Sequence, residues 1–337
     1  MLRLLLNIFT VLLAVLVTSC FKEDEMIMPH VPGNYITDTI TLGETYTNQV
    51  YYNLHDSNTV SSAVRTAWDL GFESTPSGWR VILNSSGYMK SVFLEGHVFG
   101  TPADAEGATW IFNPSDGSAD SLVIGKWFTV NGNDTVGTNR LLLIDRGLDE
   151  NGEPLGINQM VIDSLVKGTY YFRIAEQDGT IPRSYSIAKR NNVNHVLFSI
   201  SNPLMVVSEP ASTSWDLLFS KYTTLLYTDA GEPYPYLVLG VLLNPSFVEV
   251  AVDSISSFES INFEKAQSMS FTKQADKIGY LWKKYDFTLG SYTVNPDINY
   301  IIRDTRGFVY KFRFIGFYKF SNNRLEKGFP SFEYQKL

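Results

Sequence analysis

The chain has 337 residues, with 27 Lys and Arg against 35 Asp and Glu, a formal net charge of −8, and one cysteine. That balance excludes a nucleic-acid surface, which needs clustered basic side chains, and a lone cysteine excludes an intrachain disulfide. The length suffices to bury a core without one, and 14% aromatic residues, set in alternating runs, give a β-rich composition.

At the start, Arg3 precedes an apolar run from Leu4 to Val17, broken only by Asn7 and Thr10. The run is too short to read as a spanning helix. It ends in Val17-Thr18-Ser19-Cys20, the pattern of a signal peptide cut before a cysteine that carries lipid. Residues 1–19 are therefore predicted to be a signal peptide, with acylation at Cys20. Residues 20–35 read as an acylated tether holding Pro29, Pro32 and Gly33. Its acidic cluster, Phe21-Lys22-Glu23-Asp24-Glu25, resembles the surface-export signal of Bacteroidetes lipoproteins. The expected location is the outer membrane, lipid-anchored and exposed at the cell surface. Asp38-Thr39-Ile40, Asp120-Ser121-Leu122, Asp134-Thr135-Val136, Asp163-Ser164-Leu165 and Asp253-Ser254-Ile255 resemble acceptors of general O-glycosylation in the same phylum. Each is also ordinary turn vocabulary.

Beyond the tether, alternation such as Tyr300-Ile301-Ile302-Arg303 and Val309-Tyr310-Lys311-Phe312-Arg313-Phe314 predicts half-buried strands. Asn131-Gly132, Asn151-Gly152, Asp178-Gly179 and Arg306-Gly307 predict the turns between them. The best helical pattern runs from Ser254 to Lys265, with Ile255, Phe258, Ile261 and Phe263 apolar. Two segments repeat. Val50-Tyr51-Tyr52-Asn53-Leu54 precedes Trp68-Asp69-Leu70-Gly71-Phe72, and Val196-Leu197-Phe198-Ser199-Ile200 precedes Trp215-Asp216-Leu217-Leu218-Phe219. The fold class expected is all-β, mostly antiparallel β-sheets in two related units, 36–175 and 176–337, with one or two short helices.

Several blocks of the second unit, in order, resemble the HmuY family of haem-binding lipoproteins of Bacteroidetes. They are Trp215-Asp216-Leu217-Leu218-Phe219, Lys277-Ile278-Gly279-Tyr280-Leu281-Trp282, the segment from Tyr300 to Tyr318, and Gly328-Phe329-Pro330-Ser331-Phe332-Glu333-Tyr334. The first unit looks like a weaker copy. The resemblance implies an all-β fold and haem capture for iron acquisition, in partnership with a TonB-dependent receptor. It also implies iron held between two histidines or two methionines. This sequence departs from that pattern, because after Trp215 it has no histidine and only one methionine, Met269. Haem iron also accepts tyrosine. The candidate ligands are therefore Met269, Tyr222, Tyr227, Tyr234 and Tyr236, with Met205 and His195 just before the Trp215 strand.

The alternative is a non-haem surface module on the same scaffold, binding a glycan, peptide or receptor partner. No two of His30, His55, His97 and His195 stand at metal-ligand spacing. The acidic loop from Asp145 to Glu153 lacks the EF-hand order. No nucleophile elbow or P-loop occurs, so the expected role is binding and not catalysis.

Overall fold

The computed structural model describes residues 31–131, 134–204, 209–321 and 323–337. The signal peptide, Cys20 and most of the tether lie outside the described residues, as does Met205.

The architecture is antiparallel throughout. One five-stranded sheet has the order Tyr35–Thr39, Arg324–Lys336, Val309–Ser321, Asn299–Arg303, Glu249–Asp253. The other half repeats that order with Arg183–Ala188, Thr169–Glu176, Ile157–Val166, Leu141–Asp145 and Lys90–Leu94. In both sheets the outermost strand comes from the other sequence repeat: Tyr35 pairs with Gln335, and Arg183 with Ile174.

The same exchange recurs in two smaller sheets. Asn48–Asn53, early in the first repeat, pairs with Leu217–Tyr227 of the second, Tyr52 opposite Leu217. His195–Phe198, early in the second repeat, pairs with Leu70–Glu73 of the first, Phe198 opposite Leu70. Each core therefore draws on residues from both sides of the expected division into 36–175 and 176–337. One core joins Ile40, Val50 and Tyr52 to Phe219, Phe314 and Phe332. The other joins Leu70 and Phe72 to Phe172 and Phe198. The reason is backbone pairing: Tyr35–Thr39, Arg183–Ala188 and His195–Phe198 pair with strands of the other repeat, and Asn48–Asn53 pairs with Leu217–Tyr227 as well as with Asn58–Val64. Residues Pro32–Leu337 accordingly form one compact unit.

The repeat extends to single hydrogen bonds. Asp69 Oδ2 accepts from Ile200 N at 2.6 Å, and Asp216 Oδ2 accepts from the equivalent Leu54 N at 2.8 Å. Asn84 Nδ2 donates to Trp68 O at 2.7 Å, and Asn244 Nδ2 donates to Trp215 O at 2.8 Å. The asparagines close a second repeated motif, Val81-Ile82-Leu83-Asn84-Ser85-Ser86 and Val241-Leu242-Leu243-Asn244-Pro245-Ser246. Each Trp-Asp pair is thus tied to a crossing strand through Asp and to the next strand through Asn.

The helix expected over Ser254 to Lys265 is shorter and later. Asp253 Oδ1 accepts from Ile255 N and Ser256 N, both at 2.9 Å, which holds the first residues in a turn. A 3₁₀ turn covers Phe258–Ser260 and an α-helix covers only Phe263–Gln267, capped by Asn262 accepting from Lys265 N.

Candidate functional site

The structure separates the residues that the sequence groups as ligands. Met269 follows the short helix and packs with Ala251, Ile261 and Val309 in a small core of its own. Its thioether is used in packing and is placed with none of the other candidates. Tyr227, Tyr234 and Tyr236 lie on the exposed end of the hairpin Leu217–Tyr227/Pro233–Leu243. Tyr222 is buried lower in that hairpin, and with His195 it lines a cavity.

The hairpin end belongs to a larger aromatic group. Tyr234 and Tyr236 meet edge to face at 6.4 Å. A second hairpin, Lys283–Asp286/Ser291–Val294, sets Tyr285 directly across from Tyr292, ring centroids 5.2 Å apart. Its turn is fixed by Asp286 Oδ1, which accepts from Thr288 N and Leu289 N, and by Gly290 at φ +62°. Lys283 fastens this hairpin to its neighbour by donating to Leu239 O at 2.5 Å, with Nζ 4.5 Å from the Trp282 ring. Burial pulls its pKa down to about 7.

Tyr292 is the hub. Its amide donates to Tyr318 Oη at 2.7 Å, and its own phenol is pushed up by burial and by Tyr236, Tyr318 and Tyr285. Burial, Tyr292 and Tyr318 likewise raise the Tyr46 phenol. Tyr46, Tyr292 and Tyr318 gather round Phe317, with ring centroids 6.1, 5.3 and 5.2 Å from it, while Tyr236 is 52% and Tyr285 44% exposed. Phe287, 91% exposed, stands edge-on to Tyr285 at 5.2 Å. Tyr236, Tyr285 and Phe287 thus leave aromatic surface open to solvent.

Two cations stand at the partly buried Tyr46. Lys221 Nζ and Lys327 Nζ lie 5.3 and 5.4 Å from the centre of the Tyr46 ring. Neither makes an ion pair among the described residues. Burial, Arg65 and Lys327 all lower the Lys221 pKa. An anion placed there would relieve that repulsion. Sequence reading finds Tyr234 and Tyr236 but misses Tyr46, Lys221, Tyr285, Tyr292, Tyr318 and Lys327. The available signal was the Tyr285/Tyr292 pair flanking the turn from Asp286 to Gly290.

The cavity has a different character. It measures about 470 Å³, within the range of small-molecule sites. Its walls come in repeat-related pairs, Gln49 with His195, Tyr51 with Leu197, and Trp68 with Trp215. Burial lowers the His195 pKa to about 4, so its imidazole is neutral at physiological pH. Burial raises Glu209, 3.9 Å away, to about 7. The one cationic side chain in the lining, Arg80, is paired with Glu73 at 3.3 Å.

A family model described as HmuY protein matches residues 45–334. Among solved structures, the chain is similar to a protein assigned as a lipoprotein of Bacteroides fragilis NCTC 9343. The two share 15% identity over 52% of this chain and 88% of that one, with a TM-score of 0.23. It is also similar to the apo HmuY analogue of Tannerella forsythia, at 9% identity over 91% of this chain and 98% of that one, with a TM-score of 0.24. No curated protein matches the chain.

Proposed function

We propose, from the premise that the chain belongs to the HmuY family, that it is a surface lipoprotein that captures haem or a related porphyrin on the tyrosine cluster. The observations that carry this reading are the exposed rings of Tyr236 and Tyr285 and, at Tyr46, the two ammonium groups of Lys221 and Lys327. A planar macrocycle stacks on aromatic rings. A phenolate is an established ligand of haem iron, and Tyr236 and Tyr285 are the exposed phenols that would supply it. Lysine ammonium groups form charge-assisted bonds to carboxylates, so Lys221 and Lys327 would take the propionates. Bound haem would supply iron, and a TonB-dependent receptor is the partner that would receive it. The role is binding and not catalysis.

The test is a titration of protein lacking residues 1–20 with ferric haem, followed in the Soret band. Residues Pro32–Leu337 hold all the cores described, so the truncated chain keeps the site. A saturable shift is expected, and either Tyr236→Phe or Tyr285→Phe should weaken binding by at least about tenfold. Unchanged binding in both variants would remove the phenol from the coordination sphere.

The anchor is tested separately at Cys20. Labelled palmitate should enter the wild-type protein and not Cys20→Ala, and equal labelling would contradict acylation. Replacing Glu23, Asp24 and Glu25 with Ala should abolish protease sensitivity on whole cells while acylation persists. Sensitivity retained in that variant would mean the acidic cluster is not the export signal.

A further inference from the structure

The cavity is lined by residues of both repeats, and nothing in the porphyrin reading uses it. Beyond the pairs already named, Ile82 lines it with its counterpart Leu242, and Leu83 with Leu243. Each repeat also carries a long insertion between equivalent strands. One joins Lys90–Leu94 to Leu141–Asp145, the other Glu249–Asp253 to Asn299–Arg303. The two insertions meet beside the cavity: Ser115 Oγ donates to Asp276 Oδ2 at 2.5 Å, and Ala275 N donates to Asp116 O at 2.9 Å. Ser115 and Ala275 both line it. Loops positioned by a rigid scaffold are where binding residues concentrate, and here two of them are tied together at one space of about 470 Å³.

The charged groups at the cavity are engaged within the protein. Glu73 is paired with Arg80 and accepts from Thr75 Oγ1 and the amides of Trp79 and Arg80. Glu209 accepts from Asn194 Nδ2 and His195 N at 2.9 and 2.5 Å. A charged ligand would lose its water there without gaining a counter-ion of its own. The His195 ring differs. Its Nδ1 stands 3.9 Å from Glu209 Oε2, beyond hydrogen-bond reach, and neither ring nitrogen makes a hydrogen bond among the described residues. Burial keeps the imidazole neutral, so it offers one donor and one acceptor. A hydroxyl group matches that pair, being both at once.

We propose that the cavity is a second binding site, separate from the tyrosine cluster, and that its ligand is a small neutral aromatic alcohol. The rings lie among Tyr51, Trp68 and Trp215, and the hydroxyl bonds to the His195 imidazole. Burial of the aromatic faces supplies most of the affinity, and the one polar contact fixes the orientation. The repeat explains why the hydroxyl has one place and not two: His195 has Gln49 as its counterpart, whose Oε1 already accepts from Trp68 Nε1 at 3.4 Å.

The experiment is calorimetric titration of protein lacking residues 1–20, without haem, using 2-naphthol, the anion 2-naphthoate, the cation 2-naphthylmethylammonium and the wholly apolar 2-methylnaphthalene. In the wild type, 2-naphthol should bind saturably and at least about tenfold more tightly than either charged compound. His195→Leu should weaken 2-naphthol by at least about threefold and leave 2-methylnaphthalene unchanged. Leu242→Trp, which places an indole into the cavity wall, should abolish binding of both. No saturable heat with 2-naphthol, a charged compound that binds as tightly, or 2-naphthol affinity unchanged in either variant would overturn the proposal. The comparison of neutral with charged compounds in the wild-type protein stands even where a variant fails to fold. Because no haem is present, failure here leaves the porphyrin reading intact, and the converse also holds.

Discussion

Asp69→Ala should lower the unfolding free energy by about 3–5 kcal/mol, because it leaves a buried guanidinium without its counter-charge. Arg146 Nε donates to Asp69 Oδ1 at 2.8 Å, and the two side chains are only 9% and 3% exposed. The same carboxylate receives Ile200 N, so the substitution also frees an amide where the exchanged strand arrives. The double variant Asp69→Leu/Arg146→Met should recover most of the loss, since a buried pair replaced by apolar groups of similar volume costs little. Both should show in urea denaturation read by fluorescence and by circular dichroism. The two signals should coincide in one transition, because each repeat completes the other's sheets. Two separated transitions would mean that the halves fold as independent units, against the strand exchange.

Trp282→Ala should cost about 3–5 kcal/mol, the usual range for truncating a buried tryptophan. The indole is 1% exposed, stacks on Phe314 at 4.0 Å, and meets Phe317 edge-on at 5.8 Å. Phe317 in turn holds Tyr292 at 5.3 Å, so the floor of the tyrosine cluster rests on this ring. Lys283 would also lose the aromatic face beneath its ammonium. The variant should therefore lose stability and porphyrin affinity together. A shift of under about 1 kcal/mol in the denaturation free energy would show that the ring is not packed as described.

Much of the fold was legible because strands and turns write local signals. The alternation from Val309 to Phe314 and the Arg306-Gly307 turn both appear, the strand running on to Ser321. The doubled Trp-Asp motif announced the repeat. The exchange was not legible, since alternation tells which side chains face inward but not which strand lies alongside. The roles of Asn84 and Asn244 were hidden for the same reason, as their bonds run to carbonyls such as Arg65 O and Ser212 O in other segments. The helix was misplaced because the apolar spacing after Asp253 looks helical, while the Asp side chain captures the amides that would begin it. At the site, Tyr234 and Tyr236 stood out as aromatics in a loop-rich stretch. Lys221 did not, because it alternates in a strand between buried neighbours, and its partner Lys327 belongs to a different sheet.

The central claim is that an anionic porphyrin is held by the tyrosines together with those two lysines. The most direct measurement is the dissociation constant for ferric haem in the wild-type protein and in Lys221→Glu/Lys327→Glu. Reversing both charges should weaken haem by at least about tenfold, while haem dimethyl ester, whose propionates carry no charge, should bind both proteins alike. A featureless titration of the wild type, or a haem affinity that survives the double reversal, would contradict the account.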